Sequence, residues 1–334
     1  MNSWAIKIVM SRTSKKNNRS VKPVCPPLII CLSVFLIIAC NPFGDSERIK
    51  AIGSTAGLST ALQRAFNPGD DFLPLESPKS GDWLAEHKEP GQTFAEFAAT
   101  QYNRPDNIRK KIYLQPLGAF NKDSSPPLET LRAYAHSFFA MDVEVLPPIP
   151  LKDEFTPRIN RLTGKRQILS TDVLSFLKAR LPDDAFCILA VTMEDLYPDP
   201  KWNFVFGQAS LTERTGVYSF ARYDPSFYGE KRGSDYEKII LKRSCRILAH
   251  ETGHMFGLQH CIFFRCILNG SNHLAESDSR PLYLCPVCLR KLQHSIGYDI
   301  VNRYKDLHIF YRKSGFNEET QWVDSRLQHV SGIL

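Results

Sequence analysis

The sequence predicts a fold of mixed helices and strands, α/β or α+β in class. It predicts one large domain and a smaller N-terminal extension. The chain has 334 residues, 43% hydrophobic and 23% charged, so it can bury a sizeable core and lacks the composition of a disordered protein. From Lys111 onward, strand-like and helix-like segments alternate. One apolar run, Ala185–Thr192, is typical of a strand buried on both faces. The predicted divisions are a leader (1–40), an irregular extension (41–106) and a main domain (107–334), with an upper part to residue 257 and a lower lobe from 258.

The elements follow from hydrophobic periodicity. The predicted strands are Lys111–Leu117, 143–148, Ala185–Thr192, 202–211 and 216–223, of which the last two form an antiparallel hairpin. The predicted helices are 57–66 in the extension, 128–140, 172–181, and a long helix that begins with a capping box at Ser234 and Glu237. In the long helix, residues at helical spacing predict a core-facing side: Leu241, Cys245, Leu248, Thr252 and Met255.

The first 40 residues predict a leader that directs the chain to a membrane. Six Lys and Arg and no acidic residue accompany a 13-residue apolar run over 28–40. As a helix this run spans about 20 Å, short of the roughly 30 Å core of a bilayer, which is typical of a signal peptide. Its end, Ile37-Ile38-Ala39-Cys40, resembles a bacterial lipobox, so Cys40 is a candidate acylation site. We therefore expect an exported or membrane-anchored protein; the alternatives are a retained signal anchor and a cytoplasmic chain with a mis-assigned start.

The charge balance argues against a nucleic-acid-binding protein. The formal net charge is +7, from 42 Lys and Arg against 35 Asp and Glu, but six of the cations lie in the leader. The rest of the chain is nearly neutral, whereas phosphate binding needs clustered excess cations on the folded domain. No nucleic-acid partner is expected.

The long helix carries the sequence HETGHMFGLQH at 250–260. His250 and His254 lie four residues apart on one helix face, so both imidazoles can bind one tetrahedral Zn²⁺. Glu251 lies beside them and can accept a proton from a zinc-bound water. Gly257 can adopt a positive φ where the helix must turn, and His260 follows as a third ligand. The sequence therefore predicts a catalytic zinc site.

Four cysteines follow in two pairs, Cys261 with Cys266 and Cys285 with Cys288, separated by 18 residues. This spacing is typical of a closed, structural Cys₄ zinc site. In an exported protein, the alternative is two disulfides. Zinc is the preferred interpretation because a structural metal commonly closes a small, loop-rich lobe.

The combination of HExxHxxGxxHC, a second Cys and a downstream CxxC resembles the archaemetzincin family of metallopeptidases, with weaker similarity over 111–305. The resemblance implies a metzincin-like zincin domain, with a twisted mixed sheet, an active-site helix and a small zinc-stapled C-terminal lobe. It implies two Zn²⁺ per chain: a catalytic zinc on His250, His254 and His260 with Glu251 as general base, and a structural zinc on Cys261, Cys266, Cys285 and Cys288. The family pattern also has a methionine beneath the catalytic zinc, where this chain has Leu268. Because Leu is similar in volume and equally apolar, we expect it to be tolerated.

The predicted function is zinc-dependent hydrolysis of peptide bonds by a water that Glu251 activates, in a monomer acting on peptides or proteins. In metzincin-like folds an edge strand pairs with the extended substrate, and 204–211 is the candidate strand. The alternative is a non-catalytic, zinc-stabilised binding protein in which both metals are structural. Glu251 favours the enzyme, since a structural site has no need of a carboxylate between its first two ligands.

Overall fold

The computed structural model describes residues 3–5, 44–151 and 154–332. The strands are β1 (Ser3–Ala5), β2 (Lys111–Leu117), β3 (Asp142–Val145), β4 (Pro157–Ile159), β5 (Arg166–Leu169), β6 (Ala185–Thr192), β7 (Asp195–Tyr197), β8 (Gly207–Ser210) and β9 (Thr215–Ser219). The helices are α1 (Asp45–Ile52), α2 (Thr60–Phe66), α3 (Trp83–Glu86), α4 (Phe94–Ala99), α5 (Leu128–Phe139), α6 (Ser170–Lys178), α7 (Tyr236–Met255), α8 (Leu274–Asp278), α9 (Pro286–Ile296), α10 (Ile300–Lys313) and α11 (Asn317–Ser331).

A six-stranded mixed sheet, in the order β1-β8-β9-β6-β2-β3, organises the main domain. Strand β6 pairs in parallel with both β2 and β9, and all of its residues are buried. Its alternate side chains enter two different apolar clusters, with Leu189 in one and Ile188 in the other. The predicted strand that is buried on both faces is thereby confirmed, as is the α/β class. Strands β4, β5 and β7 form a second, three-stranded sheet.

Helix α7 packs against β6, β8 and β9 and is the element that positions the candidate site. Its core-facing side is as predicted, with Cys245, Leu248 and Met255 fully buried. The predicted capping box is wrong. The helix begins at Tyr236 after Asp235, no side chain caps it, and Ser234 lies outside it.

The described part of the N-terminal extension, 44–106, contains four short helices, although the sequence predicted an irregular segment. Helices α1, α2 and α4 contact α9, and α2 also contacts α10 and α11. The predicted helix over 57–66 is present as α2. The extension therefore packs on the C-terminal lobe, which is itself largely helical from α8 to α11.

The predicted hairpin is confirmed as antiparallel, but its strands are shorter than expected. Phe204 and Phe206, which precede β8, are buried in the core, as expected for aromatic side chains.

Most of the predicted leader, including Cys40, lies outside the described residues. Strand β1 belongs to this leader and pairs antiparallel with β8, a pairing that the sequence analysis did not predict. Among the described helices, none is long and apolar enough to cross a membrane.

Candidate metal centre

Three histidines converge at the C-terminal end of α7. His250 and His254 lie on the helix, and the chain then turns and brings His260 back toward them. The Nε2 atom of His250 lies 3.0 Å from that of His254 and 3.3 Å from that of His260. Nitrogen ligands of a tetrahedral zinc are separated by about 3.3 Å, because each Zn–N bond is about 2.0 to 2.1 Å. The three side chains that the motif predicted therefore fit a zinc ion.

The opposite side of each ring is held by an acceptor. The Nδ1–H groups of His250, His254 and His260 donate, respectively, to the carbonyl of Ile267 at 2.8 Å, the carbonyl of Leu258 at 2.6 Å and Oε1 of Glu89 at 2.8 Å. With the hydrogen on Nδ1, each ring presents the lone pair of Nε2 to the common centre.

Burial keeps two of these rings neutral. Burial, reinforced by the neighbouring ring of His260, lowers the pKa of His250 to about 3. Burial and the two adjacent imidazoles lower the pKa of His254 well below its usual range. Because metals bind the neutral imidazole, this environment favours metal binding over protonation.

Glu251 lies in the same buried region and is only 1% exposed. Neither of its carboxylate oxygens has a hydrogen-bond partner among the described residues. Burial raises its pKa well above the usual range, which makes the carboxylate a stronger base. Gly207, the first residue of β8, passes so close that a Cβ there would lie 2.7 Å from Oε1. A buried carboxylate without partners is costly in a purely structural role, so the group suits proton transfer.

Gly257 allows the turn between the second and third histidines. Its φ is +84°, and an added Cβ would lie 2.1 Å from the ring of Tyr102. Glycine is therefore needed at this position for both its backbone conformation and the space it leaves for the extension.

Leu268, at the position where the sequence resemblance predicts a methionine, is fully buried and lies against Gly253 of α7. A Cβ on Gly253 would lie 3.2 Å from its Cδ1 atom. The carbonyl of Leu268 accepts a hydrogen bond from Cys261 at 2.8 Å, and the preceding carbonyl, of Ile267, holds His250. Residues Ile267 and Leu268 therefore connect the three candidate histidine ligands with the four candidate cysteine ligands.

The four cysteines also come together. The Sγ atoms of Cys261, Cys266, Cys285 and Cys288 all lie within 4.8 Å of one another, and all four residues are buried, unpaired thiols. The sulfurs of Cys261 and Cys285 are 3.5 Å apart, near the separation of about 3.8 Å in a tetrahedral zinc–thiolate site. The geometry fits the predicted structural metal better than two disulfides, in which bonded sulfurs are about 2 Å apart.

A third group of possible ligands, Asp82, His273 and Glu276, is better explained as a hydrogen-bonded cluster. The carboxylate of Glu276 already accepts from the backbone amides of Trp83 and Asn272 and from Arg280. Its oxygens are therefore occupied.

Sequence analysis missed Glu89 because it lies 171 residues from His260 and carries no motif. It also missed Tyr102 and Gln92, which contact the turn at Gly257. The prediction that 204–211 forms an edge strand is wrong for the described residues. Only Gly207–Ser210 forms a strand, and it lies between β1 and β9 because β1 pairs with it.

Comparison with known proteins finds similar sequences and a similar structure. Residues 162–294 match the model of peptidase family M54. The chain is 41% identical to archaemetzincin-2 of Macaca fascicularis, covering 89% of this chain and 86% of that protein. It is 34% identical to archaemetzincin-1 of Mus musculus, covering 85% of this chain and 61% of that protein. The crystal structure of an archaemetzincin from Methanopyrus kandleri has 29% identity and a TM-score of 0.43, covering 58% of this chain and 99% of the other.

Proposed function

The chain belongs to the archaemetzincin family of zinc metallopeptidases, and we propose that it hydrolyses peptide bonds at His250, His254 and His260 with Glu251 as general base. The observation that carries the proposal is the convergence of three imidazoles beside a buried carboxylate that has no hydrogen-bond partner among the described residues.

In this proposal, the three Nε2 atoms hold the zinc. When bound, zinc supplies a Lewis acid that polarises the scissile carbonyl and acidifies the attacking water. Glu251 accepts the proton of that water and later donates it to the leaving amine. Burial raises the pKa of Glu251 well above its usual range, which favours uptake of a proton from the water.

We also propose that a second zinc occupies the four-cysteine cluster and is structural. Cys261 directly follows His260, so a metal held by the cysteines would fix the turn that delivers the third histidine. The chain would then bind two zinc ions.

Hydrolysis of a fluorogenic peptide library by the purified full-length chain tests the function. We expect activity that 1,10-phenanthroline removes and one equivalent of zinc restores. A chain that carries zinc but cleaves no peptide would instead support the alternative, a zinc-stabilised binding protein.

We further propose that the leader directs the chain to a membrane, with Cys40 as the acylated residue. The support is the order of a basic segment, an apolar run and a lipobox-like ending. Mass spectrometry of the mature N-terminus tests this, and a lipid-modified Cys40 is the expected result. An intact chain with an unmodified Cys40 would contradict it, and would be compatible with β1 remaining paired to the sheet.

A further inference from the structure

The extension places one buried carboxylate directly against the candidate zinc centre. The Glu89 side chain is 6% exposed, and its Oε1 atom accepts the Nδ1 hydrogen of His260 at 2.8 Å. Its other oxygen, Oε2, is buried without a hydrogen-bond partner among the described residues. Among the described residues, the one ion pair of Glu89 is with His260. Since a buried anion needs compensating charge, the available compensation is a metal held on the far side of the imidazole.

His260 differs from the other two histidines in the acceptor that its Nδ1 hydrogen contacts. His250 and His254 donate to backbone carbonyls close to the motif, whereas His260 donates to a side chain 171 residues away. A carboxylate is a stronger acceptor than a carbonyl and makes the imidazole a stronger metal ligand. His260 also lacks the helix that orients the first two histidines, because it lies on the returning chain after α7.

The segment around Glu89 is fixed on both sides of Glu89 against residues 257–260, the turn that carries His260. On one side, the indole of Trp83 packs edge-on against the ring of His260, with centroids 5.0 Å apart. On the other side, Gln92 donates to the carbonyl of Gly257 at 3.2 Å and accepts from the amide of Gln259 at 3.3 Å. The extension therefore holds Glu89 in register with the turn that carries His260.

We propose that Glu89 is a positioning residue of the zinc centre. By accepting the Nδ1 hydrogen, Glu89 fixes the tautomer of His260 and the orientation in which His260 presents Nε2. It thereby strengthens the binding of zinc at the three histidines. The extension is then a functional part of the active site. This inference rests on the proposed three-histidine zinc site and names a residue outside the motif that the site needs.

Three variants of the full-length chain test the proposal. Glu89→Met fills a similar space but removes the acceptor, and Glu89→Gln keeps a neutral acceptor at the same position. Glu86→Met is the control, because Glu86 is an exposed glutamate three residues earlier in the same extension. Zinc affinity is measured by competition with a chelator, and the ligand geometry is measured from the visible spectrum of the Co²⁺-substituted protein.

We expect Glu89→Met to weaken the binding of one zinc by about 10- to 100-fold, the usual effect of removing a partner of a metal-bound histidine, and to shift the cobalt spectrum. The other zinc should be unaffected, which a general loss of folding would not produce. Glu89→Gln should bind this zinc more tightly than Glu89→Met but measurably more weakly than the wild type, and Glu86→Met should behave as the wild type.

Wild-type zinc affinity and an unchanged cobalt spectrum in Glu89→Met would overturn the proposal. If that variant does not fold, Glu89→Gln decides alone, because a neutral acceptor predicts measurably weaker binding and unchanged binding refutes it. These measurements need no peptide substrate. A wild-type chain that binds zinc at the histidines without hydrolysing peptides would refute the proposed function and leave the role of Glu89 in metal binding standing.

Discussion

Gly207→Ala tests whether the position of Glu251 under β8 matters for hydrolysis. The added Cβ would lie 2.7 Å from both Cγ and Oε1 of Glu251, well inside the usual contact distance of about 3.5 to 4.0 Å. Glu251 would therefore have to move by about 1 Å, and a displacement of this size costs about 100-fold in rate. The cost in folding stability should be about 1 to 3 kcal/mol, as for other overpacked positions.

Gly216→Ala on the adjacent β9 is the matched control. Its Cβ would lie 2.9 Å from Leu189 and 3.2 Å from Ala209, so it overpacks the core away from the carboxylate. Both variants are assayed for kcat and KM on a fluorogenic peptide, zinc content and thermal unfolding. We expect a loss of kcat in Gly207→Ala alone, with zinc retained, and little further loss when it is combined with Glu251→Gln. A folded Gly207→Ala protein with wild-type kcat would refute the reasoning.

Three further predictions concern Leu268, Gly257 and the proposed second zinc. In denaturant unfolding, Leu268→Ala should lower the free energy of unfolding by about 2 to 5 kcal/mol, because it leaves a cavity. Leu268→Met fills the space and should cost less than about 1.5 kcal/mol. Equal costs would contradict this packing role. Gly257→Ala should lower the unfolding midpoint, with about 1 to 2 kcal/mol from its positive φ alone. Adding Tyr102→Ala should relieve only part of the contact cost, because the Cβ of residue 102 would still lie 2.7 Å from the new Cβ, and full rescue would contradict both costs. Cys288→Ser should reduce the zinc content from two ions to one in elemental analysis, and a wild-type chain with one zinc would contradict the second site.

The parts of the fold with strong local patterns were predictable from the sequence. Strand β6 is a continuous apolar run, and β2 lies at its predicted bounds. The positions of the candidate ligands His250 and His254 followed from helical spacing, since both lie on one face of α7. The arrangement of the candidate site could therefore be predicted from the sequence where residues close in sequence are also close in space.

The parts that depend on distant contacts were not predictable. Glu89 reaches His260 because Trp83 and Gln92 fix the extension on the lobe, and no local periodicity encodes that docking. The capping box failed for a different reason. Ser234 lies before the first helical turn, so the sequence pattern was present without the backbone geometry that it requires.

Glu251→Gln tests the central claim most directly, because it removes the proposed base and keeps the size of the side chain and the three histidines. We predict that the purified variant retains the wild-type zinc content, while peptide hydrolysis falls by at least about 100-fold, the usual effect of losing a positioned acid–base group. Wild-type hydrolysis by the zinc-loaded variant would contradict the account.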